Sequence, residues 1–370
     1  MTDYTEIRHQ LHEHPQTAGN EQFAHDLIVR HLQGLHPDKV YTHVGGYGVI
    51  AVWGKDLQAP TIAFRADTDA LPIGHRCGHD GHTTILLRLA ELIDQNGSTY
   101  RHINVLLLWQ PAEETGQGAQ SVLESGILQQ YDIKAFYALH NLPGYPLGTV
   151  VLTGDLGATK GAELSCKHTF AAASTGIVYH LDGRETHAST PELGINPDLA
   201  VAEMVKSFNR FNGDSGEFRQ STLICVRVGS PAFGTSAGHG EVMFTLRAFS
   251  NDEMERLLAD ANSTVDEIAG RYGLTVTRSL VEPFRATENN GSCVEAIEKA
   301  AEEVPLRVRY QMEPNRWSED FGTYLLHFPG AMFGIGSGEH HAELHHPDYD
   351  FPDELIEPAA QLFGKIIATF

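Results

Sequence analysis

The sequence predicts an α/β fold, a doubly wound mixed sheet interrupted by an inserted ferredoxin-like α+β unit, and three observations carry the prediction. Strand-like and helix-like segments alternate through the first 150 residues. INVLLLWQ (103–110) is a near-continuous apolar run, as expected of a strand buried on both faces. From about 175 to 280 the order becomes β-α-β-β-α-β, the ferredoxin-like arrangement. At 370 residues the chain also exceeds the roughly 250–300 at which a single core stops growing.

In chain order, Ile7, Leu11, Phe23, Leu27, Ile28 and Leu32 recur at helical spacing, broken near His14-Pro15 and Gly19, which predicts two helices. YGVIAVWG (47–54) and TIAFRAD (61–67) read as strands, the first pair of the sheet. TTILLRLAELI (83–93) reads as a helix, INVLLLWQ as a strand, AQSVLESGIL as a helix and AFYALH (135–140) as a strand. Within the insertion, GIVYHLDG, STLICVRVG, EVMFTLRAFS and LTVTRSL are strands. NPDLAVAEMVKSFNRF and NDEMERLLADANSTVDEIAGRYG are its helices. The chain then returns to α/β character with CVEAIEKAAEE, the strand AMFGIG (331–336) and a closing helix at ELIEPAAQLFGKIIATF. The expected boundaries are 1–172, 173–281 and 282–370, the first and last forming one unit.

Charge narrows the partners. With 26 Lys+Arg against 48 Asp+Glu, the formal charge of −22 repels phosphate backbones and anionic lipid, and no basic cluster offsets it. Neither nucleic acid nor a membrane is an expected partner. The beginning, MTDYTEIRHQLHEHP, is polar, and no stretch approaches the roughly 18 apolar residues of a spanning helix, so a cytoplasmic protein is expected. Cys77, Cys166, Cys225 and Cys293 lack paired spacing and read as reduced thiols.

The chemistry is positional. Four polar clusters each follow a strand at its C-terminal end: Asp67 and Asp69 after TIAFRA, Glu113 and Glu114 after VLLLWQ, His140 after AFYAL, and EHHAELHH (339–346) after AMFGIG. HRCGHDGH (75–82) lies between the first of these strands and the next helix, at the same edge. In open α/β sheets ligands bind at that edge. Thiolate, imidazole and carboxylate together favour Zn²⁺, Mn²⁺, Co²⁺ or Ni²⁺ over Mg²⁺ or Ca²⁺. Glu113 and Glu114, read as neighbours on an extended segment, would diverge, one to a metal and one to a reacting water. Each cluster alone has a plainer reading. Cys77 and His79 could be a structural thiol beside a surface histidine, and PAEE the acidic opening of a helix. His140 could be a satisfied loop histidine, and EHHAELHH a solvated tract.

RADTDALPI, RCGHDGH, QPAEETGQGAQ, ALHNLPGYPLGTV and LHHPDYDF resemble, in order, the motifs of the M-twenty metallopeptidase family in its amidohydrolase subgroup. The likeness runs from RHQLHEHP to the last helix. It implies a catalytic α/β domain with two divalent metal ions, interrupted by a lid or dimerisation domain through which a homodimer forms. It further implies that Cys77, His79, Glu114, His140 and His345 ligate the metals, with Cys77 bridging. His345 is preferred over His346, which occupies the family's Asn position. Glu113 would be the general base, Asp67 would orient the ligands, and His187 in THASTPELGINP would stabilise the oxyanion. Arg247 would grip a substrate carboxylate, or else is a solvated strand residue. Two departures stand out: only Gly74 and His75 separate LPI from RCGHD, and Gln16 replaces a common Glu.

The function so implied is cleavage of N-acyl amino acids or related small acyl-amine conjugates by a metal-activated water. The competing readings are a dipeptidase or carboxypeptidase on the same scaffold and a non-catalytic metal or small-ligand binding protein. Against the last, a mere binding site has no use for the second carboxylate, Glu113. A thiol hydrolase using Cys77 would survive chelation.

Overall fold

The computed structural model describes residues 2–96, 102–154, 168–212 and 218–370, so Cys166 lies outside the described residues. Cys77, Cys225 and Cys293 are free thiols. Eight strands form one mixed sheet in the order Lys39–Val44, Gly48–Trp53, Asn104–Gln110, Pro60–Asp67, Asp132–Pro143, Gly330–Gly338, Thr149–Leu152 and Arg307–Tyr310. The four central strands, from Asn104–Gln110 to Gly330–Gly338, run parallel.

Gly48–Trp53 and Pro60–Asp67, expected to pair, are not neighbours. Asn104–Gln110 lies between them, antiparallel to Gly48–Trp53 and parallel to Pro60–Asp67. After Pro60–Asp67 the chain crosses over through the helix His79–Gln95 and returns parallel, which places the next strand directly beside it. Lys39–Val44, Thr149–Leu152 and Arg307–Tyr310 are strands that the sequence reading missed; they are short and lie towards the sheet's edges.

The apolar run of Asn104–Gln110 feeds both faces by alternation. Val105, Leu107 and Trp109 join the core under the helices Tyr4–Glu13, Gln22–Leu32, His79–Gln95, Gly291–Ala301 and Ile356–Ile367. Leu106 and Leu108 join the opposite core with Val122, Phe136, Phe321 and Tyr324. Each such side chain contributes about 1.5–3 kcal/mol on burial, so the central strands are the rigid part from which the site is hung.

The second sheet has the order Thr275–Phe284, Ala173–Asp182, His239–Ala248, Arg219–Val228, all antiparallel. Asp198–Phe208 and Asn251–Tyr272 cover one face, where Met204, Phe208, Leu257 and Val265 pack on Tyr179, Leu181 and Phe244. This is the β-α-β-β-α-β order read from the sequence. Beside it, Thr186–His187 and Thr235–Ser236 pair as a two-stranded ribbon. Among the described residues, no helix is long and apolar enough to cross a membrane.

Candidate metal and catalytic centre

The loops at the ends of the parallel strands converge, and specific bonds fix each one. Gly78 opens the helix His79–Gln95 at φ 94°, a backbone that favours glycine, and a Cβ there would meet Asn141 Oδ1 at 2.5 Å. The helix therefore starts at His79, earlier than the sequence pattern suggested. Ala112 is also left-handed, at φ 58° without being glycine, which costs about 1–2 kcal/mol. Its N–H donates to Glu21 Oε1 at 2.9 Å, and the next two N–H groups, of Glu113 and Glu114, donate to the two oxygens of Asp69 at 3.0 Å each. Glu113 and Glu114 consequently sit on a 3₁₀ turn, Glu113–Thr115, and not on the extended segment expected. Both carboxylates approach the same imidazole: His79 Nε2 is 3.9 Å from Glu113 Oε2 and 3.8 Å from Glu114 Oε1.

Two histidines have their tautomers set by backbone carbonyls. His79 Nδ1 lies 2.9 Å from Asp69 O and His140 Nδ1 lies 2.9 Å from Asn141 O, so in each ring Nδ1 donates, and in the neutral imidazole the lone pair is on Nε2. His140 Nε2 faces Cys77 Sγ at 3.6 Å. Donor atoms within 4.8 Å of one another fall into overlapping sets: Cys77, His79 and His140; His79, Glu113 and Glu114; Cys77, Glu114 and His345. His79 Nε2 and Glu114 Oε1 are buried without a hydrogen-bond partner. Orphaned donors of these types fit a divalent ion of the zinc or manganese kind. A further set, His12, Asp80 and Asp350, already has its cation, since Arg8 Nη1 lies 3.1 Å from Asp80 and 2.6 Å from Asp350.

Charge supports the same fit. Asp67, Asp69, Glu113, Glu319 and Asp320 are buried, and the guanidinium of Arg65 is buried among them. Arg65 donates to Asp67 at 2.5 Å, Glu319 at 2.8 Å, Asp320 at 2.7 Å and Gln110 at 2.9 Å. The guanidinium alone does not balance these acids. Burial first, then repulsion from Glu319, Glu114 and Asp320, holds the Glu113 carboxyl well above its ordinary range. Burial likewise raises Glu114 to about 7 and the Cys77 thiol to about 12. Burial alone would raise Asp67 too, but His79, Arg65 and His82 outweigh it and hold Asp67 well below the carboxylate range. A site holding this many displaceable protons takes up cations with proton release.

Of the residues expected from sequence, Cys77, His79, Glu113, Glu114, His140 and Asp67 come together. His345 joins them from the exposed rim, at φ 66°, with its N–H on Arg76 O at 2.8 Å. His187 is exposed on the ribbon and hydrogen-bonds within its own turn. Arg247 Nη1 donates to Arg316 O at 2.8 Å and Ser318 Oγ at 3.0 Å, tying the second sheet to the loop before Glu319. Gln16 anchors the loop after Pro60–Asp67: its carbonyl accepts Ala70 N–H at 2.8 Å and its Oε1 accepts Phe23 N–H. The shortened segment before Cys77 closes as a turn, Gly74 N–H to Leu71 O at 2.9 Å.

Sequence reasoning passed over Arg65, Glu319, Asp320, Glu21 and Trp317, whose ring packs 4.9 Å from that of His140. Arg65 did carry a signal: a charged residue inside the apolar run TIAFRAD needs buried partners. Nothing comparable marks Glu319 or Asp320 in PNRWSEDF.

Against known proteins, the family described as peptidase family M20/M25/M40 matches residues 63–369. The N-acetylcysteine deacetylase of Bacillus subtilis (strain 168) is 26% identical over 97% of this chain and 94% of its own length. The hippurate hydrolase of Campylobacter jejuni is 26% identical over 100% and 96%. A solved structure from Bacillus subtilis, titled a dinuclear metal-binding peptidase of the M20 family, superposes with TM-score 0.82 at 24% identity, covering 99% and 96%.

Proposed function

The chain belongs to the peptidase family M20/M25/M40, and on that premise we propose that it hydrolyses the amide bond of N-acyl amino acids or closely related acyl-amine conjugates. It is a hydrolase of linear amides. The observation that carries the reading is the orphaned His79 Nε2, held between Glu113 Oε2 and Glu114 Oε1 beside the Cys77 thiol.

Two divalent ions, drawn from Mn, Zn, Co and Ni, would be held by Cys77, His79, Glu114, His140 and His345. When bound they supply Lewis acidity, polarising the amide carbonyl and easing ionisation of a water. Glu113 takes the proton of the attacking water and later delivers it to the departing amine, so that water and amide give carboxylate and amine. Burial first, and then the acids beside it, raise the affinity of the Glu113 carboxyl for a proton, and Asp320 N–H donates to its Oε1 at 3.3 Å. Asp67, bonded to His82 at 2.6 Å and to Arg65, orients the cluster from behind. His187 reaches the carbonyl oxygen from the ribbon, and Arg247 offers its remaining N–H groups to the substrate carboxylate.

The units 1–172 with 282–370, and 173–281, are read as a catalytic domain and an inserted lid. Exposed Leu223, Ile224 and Val226 on the outer strand of the second sheet support a homodimer through that insertion. A cytoplasmic location agrees with the polar, acidic composition.

The test is a panel including N-acetylcysteine and hippurate, with and without Mn²⁺ or Zn²⁺, comparing wild type with Glu113→Gln and reading released amino acid and bound metal together. Metal-dependent release that vanishes in a variant retaining its metal supports the reading. Metal binding with no cleavage of any acyl amino acid by the wild type counts against it.

A further inference from the structure

We propose that Ser189 is a positioning residue that fixes His187 as an Nε2–H donor, so that this imidazole acts on the substrate by donating a hydrogen bond and not by accepting a proton. The proposal rests on the reading above in which His187 meets the amide carbonyl.

The argument starts at one ring nitrogen. Ser189 N–H donates to His187 Nδ1 at 3.1 Å, and Ser189 Oγ lies 2.7 Å from the same atom. A backbone N–H cannot accept, so Nδ1 must be the acceptor, and the neutral ring carries its proton on Nε2. His79 and His140 are arranged in the opposite sense, with Nδ1 on a carbonyl and a lone pair on Nε2. The fold thus assigns the metal-facing histidines as electron-pair donors and the ribbon histidine as a proton donor.

The turn that imposes this is held by its own bonds and by bonds across the ribbon. Thr190 N–H returns to His187 O at 2.9 Å, Leu193 N–H to Thr190 O at 3.1 Å, and Ala188 N–H to Gly234 O at 3.0 Å across the ribbon. His187 pairs with Thr235 in the ribbon's register. With Nδ1 engaged by Ser189 and the residue exposed, Nε2–H is the part of the ring left to a ligand. A donor of that kind stabilises the charge that develops on an amide oxygen as water adds, whereas a free Nε2 lone pair would oppose it.

The test uses the full-length, Zn²⁺-loaded protein labelled with ¹⁵N in histidine, with the His187 signals identified by their loss in His187→Gln. The expected spectrum has an unprotonated Nδ1 and a protonated Nε2. In kinetics, His187→Ala should lower kcat about 10²–10³-fold, the cost of a lost oxyanion donor. His187→Gln, which restores an N–H but no base, should recover at least about tenfold of that loss. Ser189→Ala keeps the backbone N–H and loses only the hydroxyl, so its kcat should fall by less than about tenfold with KM unchanged. A protonated Nδ1, or a Gln variant as inactive as Ala, overturns the proposal while leaving the hydrolase reading intact. A wild-type kcat in His187→Ala overturns the substrate-facing role itself, and the proposal with it.

Discussion

His79 and His187 carry the same side chain to opposite ends. His79 is buried at the start of a helix, with Nδ1 on the Asp69 carbonyl and Nε2 turned into a cluster of acids and a thiol. His187 is exposed on a two-residue strand, with Nδ1 on the Ser189 N–H. A carbonyl behind the ring takes the Nδ1 proton and puts the neutral ring's lone pair on Nε2, whereas an N–H behind it puts the proton on Nε2. The residue type does not decide between them; the neighbouring backbone group does. The two regions also differ in how firmly they are held. The buried cluster hangs from parallel strands packed on both faces and is cross-linked by Arg65, Asp67 and Asp69, whereas the exposed ribbon is fixed by its own turn and by its pairing with Thr235–Ser236.

The contrast predicts that changes in the cluster disturb metal content or folding, and that changes on the ribbon disturb turnover alone. The largest effect is expected from chelation or from Cys77→Ala. Either should reduce hydrolysis to background with metal lost, by elemental analysis, whereas His187→Ala should keep the wild-type stoichiometry. Metal loss in the His187 variant would break the contrast. Next, Glu113→Gln should lower kcat by about 10³-fold with both ions retained, as expected for a general base that need not ligate. If the ions are lost as well, Glu113 belongs with the ligands.

Arg65→Met should cost about 3–5 kcal/mol of unfolding free energy in chemical denaturation, because Asp67, Glu319 and Asp320 are left buried without their cation. A loss below 1 kcal/mol would mean that protons neutralise those acids as well as Arg65 does. The smallest effect concerns Asp80, the tie between the first helix and the Cys77 loop. Burial alone would raise its carboxyl, but the bond from His12 and the nearness of His75 and Arg8 outweigh burial and lower it from 3.8 to about 2. The folded state therefore prefers the carboxylate. Its contribution of about 2 kcal/mol is present above pH 4 and fades as the pH falls towards 2. The stability difference between wild type and Asp80→Asn should shrink over that window in urea unfolding. A constant difference would place the role of Asp80 in packing and not in charge.

Much of this was legible in the chain. Helix periodicity, the run INVLLLWQ and the β-α-β-β-α-β order each depend on local spacing, which folding preserves. The polar clusters at strand ends were legible for the same reason, since a strand's last residue lies at the sheet edge whatever its neighbours are. The strand next to Gly48–Trp53 was not legible, because pairing follows the crossover helix and carries no local mark. Glu113 and Glu114 were found, but their 3₁₀ turn was not, because its cause is Asp69, more than forty residues away.

By itself, then, the sequence determined the fold class and that the clusters at residues 67–69, 75–82, 113–114, 140 and 339–346 share one edge: both follow from periodicity and from strand ends. Only the tertiary structure decided what those side chains are. The buried guanidinium among the acids, the orphaned Nε2 of His79 and the opposite faces that His79 and His187 turn to their neighbours all depend on which backbone group or charge lies across the site. Such contacts are made between residues far apart in the chain, where no local pattern records them.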